Sequence, residues 1–283
     1  MSVLENVSDT ARWVAMYRAQ ESERPDAHFR DPFARKLAGE RGEAILREIP
    51  RARQMAWAMI VRTQVLDENI LDVVRGSGVD LVINLAAGLD ARPWRLDLPS
   101  TLRWVDVDLP GITEHKAKVL EGETPRCRYE AIALDLRDGE RRRALFSQLC
   151  GESTRVLAIA EGLLIYLDPD DAGSLARDLS SAGVKWWLID LASPRLLKMM
   201  TKQWGKTLAK GNAPFRFAPP EGTAFFATFG WIEKRFFSLW DESRRLQREM
   251  RGAWLWALLS RVMSEKRREE GRRLSGVVLL EKL

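Results

Sequence analysis

The sequence is poor in the residues that most directly announce chemistry. Its 283 residues include only two cysteines, Cys127 and Cys150, and two histidines, His28 and His115. Neither cysteine sits at metal-ligand spacing, which argues against a disulfide framework or a zinc site. No uninterrupted apolar segment approaches the ~18–20 residues needed to cross a bilayer. The opening "MSVLENVSDT" has neither the basic start nor the apolar stretch of a secretion signal, so the expectation is a cytoplasmic protein without membrane contact. The dinucleotide signature G-x-G-x-x-G is missing, as is a phosphate-binding loop with its lysine, which disfavours dinucleotides and nucleoside triphosphates. Internal repeats, low-complexity tracts and flexible linkers are also missing.

What is present is the composition of a soluble globular protein, 46% hydrophobic and 30% charged. The net charge of +5 and pI of about 9.3 raise a nucleic-acid reading. However, 45 basic residues are interleaved with 40 acidic ones. The densest basic stretches, "GERRRAL" and "SEKRREEGRRL", carry acids beside the bases, as solvated helix faces do. Charge of this kind is weak support for nucleic acid, and no aromatic-rich strand resembles an RNA-binding platform.

From Val79 onward apolar runs alternate with helical patterns. "VDLVINLAA", "LRWVDVDLP", "CRYEAIALDL", "TRVLAIAEGLLIYL" and "VKWWLIDLAS" read as five strands. "GITEHKAKVLEGE", "GERRRALFSQLCG" and "DDAGSLARDLSSAG" lie between them and are long enough for crossover helices. Such alternation means parallel βαβ units and a doubly wound α/β sheet. A helix is expected over "MAWAMIVRTQVLDENILDVV", with Asp72 and Arg75 near an end marked by Gly76 and Gly78. After Ser193 the alternation stops. "FFATFGWIEKRFFSL" and "SGVVLLEKL" read as two further strands, separated by a long helix with a stripe at Leu246, Met250, Trp254, Leu258 and Val262. That stripe suits a core or a homodimer face better than a membrane. The expected organisation is one domain over residues 1–283: a helical cap (1–78), a cofactor-binding core (79–193), an inserted lid (194–224), and final strands with the amphipathic helix (225–283).

The first strand ends in a turn of small residues, Ala86-Ala87-Gly88, where a Cβ would obstruct a ligand approaching the switch point of an open α/β sheet. Asp106 and Asp108 close the second strand, where an acid can accept from ribose hydroxyls. Asp135 and Leu136 follow the third and offer an acceptor and an apolar plate for adenine. Glu161 ends the fourth, a carboxylate in an apolar run that needs a cationic or donor partner. A ligand with ribose, adenine and a positive charge, without phosphates, fits this series: S-adenosylmethionine.

"NLAAGLDARPWRLD", "WVDVDLP", "ALDLRD" and "AEGLLIYL", in that order, resemble the leucine carboxyl methyltransferase and tetracenomycin-type O-methyltransferase family. The N-terminal "DTARWVAMYRAQESERPDAHFRDPFARKLAG" resembles a bacterial branch of it. The resemblance covers most of the chain to Ser193 and again the final strands. It implies a Rossmann-like class I methyltransferase fold with an antiparallel last strand. It further implies that Arg62 holds the methionine carboxylate of the cofactor and that Gly88 lies beneath the methionine part. Asp108 would then approach the ribose, Asp135 and Leu136 the adenine, and Glu161 the methionine end. Arg137 and Tyr166 take the acceptor-facing, catalytic positions. One departure stands out: where related sequences tend to read NLGAGLDTR, this chain has Ala86 for the first glycine and Ala91 for threonine.

Methyl transfer from a sulfonium demands alignment above all. A carboxylate (reference pKa near ~4) is ionised at neutral pH, whereas a phenol (~10) benefits from a general base. The scarcity of histidine, with His115 expected behind the chemistry and His28 in the cap, together with Arg137 favours a carboxylate acceptor. A phenol or hydroxyl of a polyketide-like metabolite is the alternative. The lid, rich in Met, Trp, Phe and Lys, suggests an acceptor with an apolar body and an acidic group. A non-catalytic, nucleic-acid-binding scaffold using the Arg-rich C-terminal helix is the competing class of reading.

Overall fold

The computed structural model describes residues 7–48, 55–210, 214–250, 252–254 and 263–283. Seven strands form one sheet: β1 (Leu81–Leu85), β2 (Arg103–Asp108), β3 (Arg128–Ala133), β4 (Val156–Ala160), β5 (Trp186–Ala192), β6 (Trp231–Ser238) and β7 (Ser275–Lys282). Their spatial order is β3-β2-β1-β4-β5-β7-β6. The first five are parallel, and β7 inserts antiparallel between β5 and β6. This is the Rossmann-like, class I methyltransferase arrangement with its antiparallel last strands. The chain leaves β1 in one direction and returns to β4 on its other side, so the switch point lies between these two strands.

Strand alternation divides the apolar side chains between two layers. Leu81, Ile83, Leu85, Trp187 and Ile189 pack into a core on one face, and Val82, Trp186 and Leu188 into a core on the other. The first face is covered by α6 (Gly139–Gly151) and α7 (Pro169–Ala182), whose Phe146, Leu175 and Leu179 are buried there. The second is covered by α3 (Ala56–Ser77), through Val65, Leu66, Ile70 and Val73. Local signals set the ends of these helices. α3 stops at Gly78, which takes the left-handed conformation (φ 63°). α5 (Pro110–Val119), α7 and α8 (Pro194–Lys210) each begin with proline, whose fixed φ suits a first turn. Asp138 caps α6 by accepting from the Arg141 amide.

The N-terminal helices α1 (Val7–Ser22) and α2 (Ala34–Glu48) pack against each other beside α3. A short α4 (Arg92–Arg95) follows the β1 turn, and α9 (Leu239–Arg245) and α10 (Glu265–Arg272) flank the last strands. Two local expectations need correction. Gly222–Phe229 forms a 3-10 turn rather than strand, and β6 starts only at Trp231, after Gly230 at φ 85°. There Phe225 stacks on Phe226 and Phe229, and Phe226 meets Trp187 edge-on at 5.3 Å. That inward turn buries Phe226 completely, which an extended edge strand would not do. The long C-terminal helix also ends early. α9 gives way at Leu246, and Gln247 follows at φ 49°. Leu246 is buried, Met250 and Trp254 are exposed, and Leu258 and Val262 lie outside the described residues. The apolar stripe is therefore not one continuous helical face among the described residues.

Candidate active site

A cavity of about 860 Å³ opens over the carboxyl ends of the parallel strands. Every post-strand segment from β1 to β5 contributes to its wall, and α1, the start of α3, α8 and residues 214–217 enclose it. Among the sequence-selected residues, Arg62, Gly88, Asp108, Asp135, Leu136, Arg137, Glu161 and Tyr166 all line it. Asp106 does not. It lies two residues before the end of β2, still inside the sheet, and accepts from Lys116, Asn84, Trp104 and Tyr129. Its carboxylate is thereby satisfied away from the cavity, and Asp108 is the β2 carboxylate that lines it.

The turn after β1 explains its own residue choice. Gly88 has φ 54°, and a Cβ there would come 3.3 Å from the Ala11 side chain of α1. The immediate neighbour that requires glycine is thus the cap helix. Ala86 also adopts positive φ, 51°, a conformation that costs an L-residue with a side chain roughly 1–2 kcal/mol. The family glycine would be unstrained there. Asp108 accepts from the Gly88 amide (2.6 Å) and the Leu109 amide (2.7 Å). Burial raises its pKa above the usual carboxylate value, and the two amides only partly offset that.

Beneath the cavity lies a buried ionic lattice that ties three strand ends to α3. Arg62 donates through Nε to Glu161 (3.0 Å) and through Nη1 to Asp190 (2.9 Å). Arg92, 2% exposed, donates to Asp67, Asp90 and Glu161 at 2.6, 2.7 and 2.8 Å. Arg95 forks onto the same Asp67. Burial works against ionisation of Glu161, but Arg92 and Arg62 outweigh it and hold its pKa below the usual value. Asp90 is likewise held well below, its burial outweighed by Arg92, Lys116 and Arg95. Both carboxylates are therefore anionic across the neutral range. No hydrogen bond from Arg62 Nη2 is formed among the described residues.

Asp190, Arg92, Asp90 and Asp67 were not selected from the sequence. Asp190 stands two residues before the end of β5, and its Oδ1 accepts from the Gly162 amide at 2.6 Å. A rule that looks only at the last residue of a strand passes over it. Asp90 and Arg92 directly follow the small-residue turn, where two adjacent charges beside a buried strand already implied pairing.

The two residues expected from the sequence to face the acceptor share the cavity wall, each with partners of its own. Arg137 folds back onto Asp135 in a bidentate pair, with its side chain 73% exposed. Tyr166 lies deep in the cavity, against Phe215 with ring centroids 5.7 Å apart. Burial raises its pKa, opposed by a hydrogen bond with Thr10 and by the charge of Arg62. Neither histidine lines the cavity. His28 donates to the Leu246 carbonyl, and His115 meets the Leu37 carbonyl and Arg12. In α10, Arg272 pairs with Asp241, and the following Arg273 pairs with Glu233 and Glu269. Among the described residues no helix is long and apolar enough to cross a membrane.

A seven-stranded sheet with antiparallel last strands and a cavity at its switch point define a class I methyltransferase fold. Solved structures share it: a DUF574 family protein from Streptomyces avermitilis gives a TM-score of 0.61 at 14% identity, covering 97% of each chain. A proposed methyltransferase from Thermobifida fusca gives 0.60 at 16% identity, covering 99% of this chain and 96% of the other. The leucine carboxyl methyltransferase family model matches residues 11–180, and the chain belongs to that family. A proposed S-adenosyl-L-methionine-dependent methyltransferase of Streptomyces avermitilis is 34% identical over 242 residues, covering 78% of this chain and 82% of its own length. A counterpart from Streptomyces coelicolor is 39% identical over 179 residues, which span 59% of this chain and 61% of that protein.

Proposed function

We propose that the protein is an S-adenosylmethionine-dependent O-methyltransferase acting on a small molecule with an apolar body. The observation that carries this reading is the division of one cavity into an ionic floor at the strand ends and an apolar roof above it. The residues fit the cofactor: a free guanidinium nitrogen on Arg62, a buried Asp108 carboxylate with only backbone donors, and Leu136 in the wall. When bound, S-adenosylmethionine supplies a methyl on a sulfonium, which the acceptor oxygen takes as the carbon–sulfur bond breaks with its electron pair left on sulfur.

In this reading Arg62 Nη2 binds the methionine carboxylate, and Glu161 and Asp190 provide negative charge for the ammonium and sulfonium. Asp108 accepts from the ribose, with Asp135 and Leu136 beside the adenine and Gly88 beneath the chain. Arg92 keeps Glu161 ionised and in place. Tyr166 stands on the acceptor side and orients the incoming oxygen. Arg137 is engaged by Asp135, so it serves the mouth of the site more readily than a clamp around the acceptor. Rate then comes from alignment and exclusion of water, since neither histidine is at hand as a base.

Calorimetry with S-adenosylhomocysteine tests the cofactor half and should show a one-to-one complex. Incubation of metabolite extracts with enzyme and isotope-labelled cofactor tests the other half, with label appearing on oxygen. Absence of binding at millimolar ligand removes the reading. Salt-dependent oligonucleotide binding in its place would favour the scaffold alternative.

A further inference from the structure

The two halves of the cavity differ in charge, and that difference bears on what the acceptor is. Among the described residues, seven carboxylates and four guanidinium groups line the wall. Each of the four cations already has an acidic partner: Arg18 has Asp31, Arg62 has Glu161 and Asp190, Arg137 has Asp135, and Arg216 has Asp168. Arg92, just beneath the wall, answers Asp90 and Glu161, so the acidic surplus at the cofactor end rests on Asp108, which accepts only from backbone amides. A cofactor of net positive charge matches that surplus.

The other half is built of rings and thioethers. Trp13, Met55, Met200 and Phe215 form one apolar cluster around Ile45, contributed by α1, α2, the start of α3, α8 and the segment after it. Trp57, Met59 and Tyr166 continue the same wall. Aromatic faces carry negative quadrupole potential, and methionine adapts to flat or irregular apolar bodies. An acceptor reaching the methyl must pass these faces and arrive beside the Glu161 and Asp190 carboxylates. An anionic head would meet negative charge at its destination and no unmatched cation among the described residues.

From the matched cations, the acidic surplus and the ring-lined lobe, we infer that the acceptor is a flat apolar molecule presenting a neutral or cationic head, methylated on a hydroxyl rather than on a carboxylate. This deepens the methyl-transfer reading and rests on it. A neutral hydroxyl gives up its proton to solvent at the cavity mouth as the carbon–oxygen bond forms. Arg51 and Arg53 precede Met55 in sequence and lie outside the described residues, so the test addresses them directly.

Three matched probes serve: 2-naphthylmethanol, 2-naphthylmethylamine and 2-naphthoate. Each is titrated into the full-length protein saturated with S-adenosylhomocysteine, and again with sinefungin, which places an ammonium where the sulfonium stands. The expected result is that the alcohol binds at least tenfold more tightly than the carboxylate in both complexes. The amine should equal or exceed the alcohol in the S-adenosylhomocysteine complex. Phe215→Ala should weaken the alcohol at least fivefold with unchanged S-adenosylhomocysteine affinity. Tighter binding of 2-naphthoate in either complex overturns the inference, and loss of that preference in R51A or R53A would identify the cation responsible. Binding of none of the probes overturns the assignment of the lobe as an aromatic acceptor site. Failure to bind S-adenosylhomocysteine itself counts against the methyl-transfer reading instead, so the two failures are distinguishable.

Discussion

The floor and the roof of the cavity are held together by opposite means. The floor is a lattice of buried arginines and carboxylates, in which Arg92 alone bridges α3, the β1 turn and the end of β4. The roof is a loose apolar cluster in which only Ile45 is fully buried, with Trp13, Met55, Met200 and Phe215 partly exposed. Buried ion pairs are poor sources of net stability, yet they tolerate little displacement, because losing one partner strands the other. A partly exposed apolar cluster has the reverse character: it can open, adapt and lose a side chain at small cost. The half expected to hold an invariant cofactor is the rigid one, and the half expected to meet a chosen acceptor is the adaptable one.

The comparison breaks hardest at Arg92. Arg92→Ala should destabilise the fold by about 3–5 kcal/mol, since it strands Asp67, Asp90 and Glu161. Chemical denaturation measures this directly. The pH dependence gives a second readout. Glu161 and Asp90 have folded pKa values below their unfolded ones, so their contribution is present above pH ~4 and is lost as pH falls through the folded values. The parent should lose stability over that acidic window, and the Arg92→Ala curve should be flatter there. A variant as stable as the parent would mean that the lattice is not what fixes the floor.

Arg62→Lys comes next. It keeps the charge but not the planar fork that reaches Glu161 and Asp190 while leaving Nη2 free. Cofactor affinity should fall by about 1.5–3 kcal/mol in calorimetry. The melting temperature should move far less than for Arg92→Ala. Equal effects of Arg62→Lys on stability and affinity would erase the distinction between scaffold and ligand contact.

Asp108→Asn tests whether a group in the same floor is kept for the ligand rather than for the fold. Its folded pKa is raised by burial, so its ionised form opposes folding, and that penalty grows as pH rises through the folded value. At neutral pH the amide variant should be as stable as the parent or slightly more so. Its cofactor affinity should drop by roughly 1 kcal/mol, the worth of one ordinary hydrogen bond. Reduced stability with unchanged affinity would assign Asp108 to the scaffold.

The smallest effect is expected at the turn itself. Ala86→Gly removes the left-handed strain, worth about 1–2 kcal/mol, and costs roughly 0.5–1 kcal/mol in chain entropy. A gain of about 0.5 kcal/mol in stability should result. Cofactor affinity should rise only if the Ala86 methyl crowds the ligand, so measuring both separates strain from crowding.

The sheet was legible because its signal is repetitive. Five strands alternating with crossover helices and ending on small or acidic residues admit few topologies, and each strand lies within the stretch expected of it. The site was legible wherever a side chain stands at the last residue of a strand, as Asp108 does. Asp106 illustrates the limit: two residues earlier it is inside the sheet, and only the three-dimensional positions of Lys116 and Tyr129 reveal that its carboxylate is already satisfied. The ionic lattice was hidden for a related reason, since Arg62 and Asp190 are 128 positions apart and their pairing has no local signature. The failures after Ser193 are local. Phe225, Phe226 and Phe229 have strand-like composition, but packing of their rings on one another, and of Phe226 against Trp187, favours a helical turn. α9 ends where Gln247 turns to φ 49°: the Gln247 and Arg248 amides close on the Arg244 and Ser243 carbonyls, and His28 takes the Leu246 carbonyl beyond them.

That contact between His28 and Leu246 has a neighbour: Arg248 forks onto the fully buried Glu21 and also reaches the Asp26 carbonyl. Together they form a clasp between the cap and the far end of the chain, with 227 positions between Glu21 and Arg248. During synthesis at roughly 5–20 residues per second, the first half of the clasp waits about 10–45 seconds for the second. Glu21 therefore spends that interval without Arg248, while α1 is already tied to the β1 turn by Arg18 on the Leu89 carbonyl. Birth order thus makes this clasp one of the last contacts available to the chain, formed after the parallel strands have had time to pair.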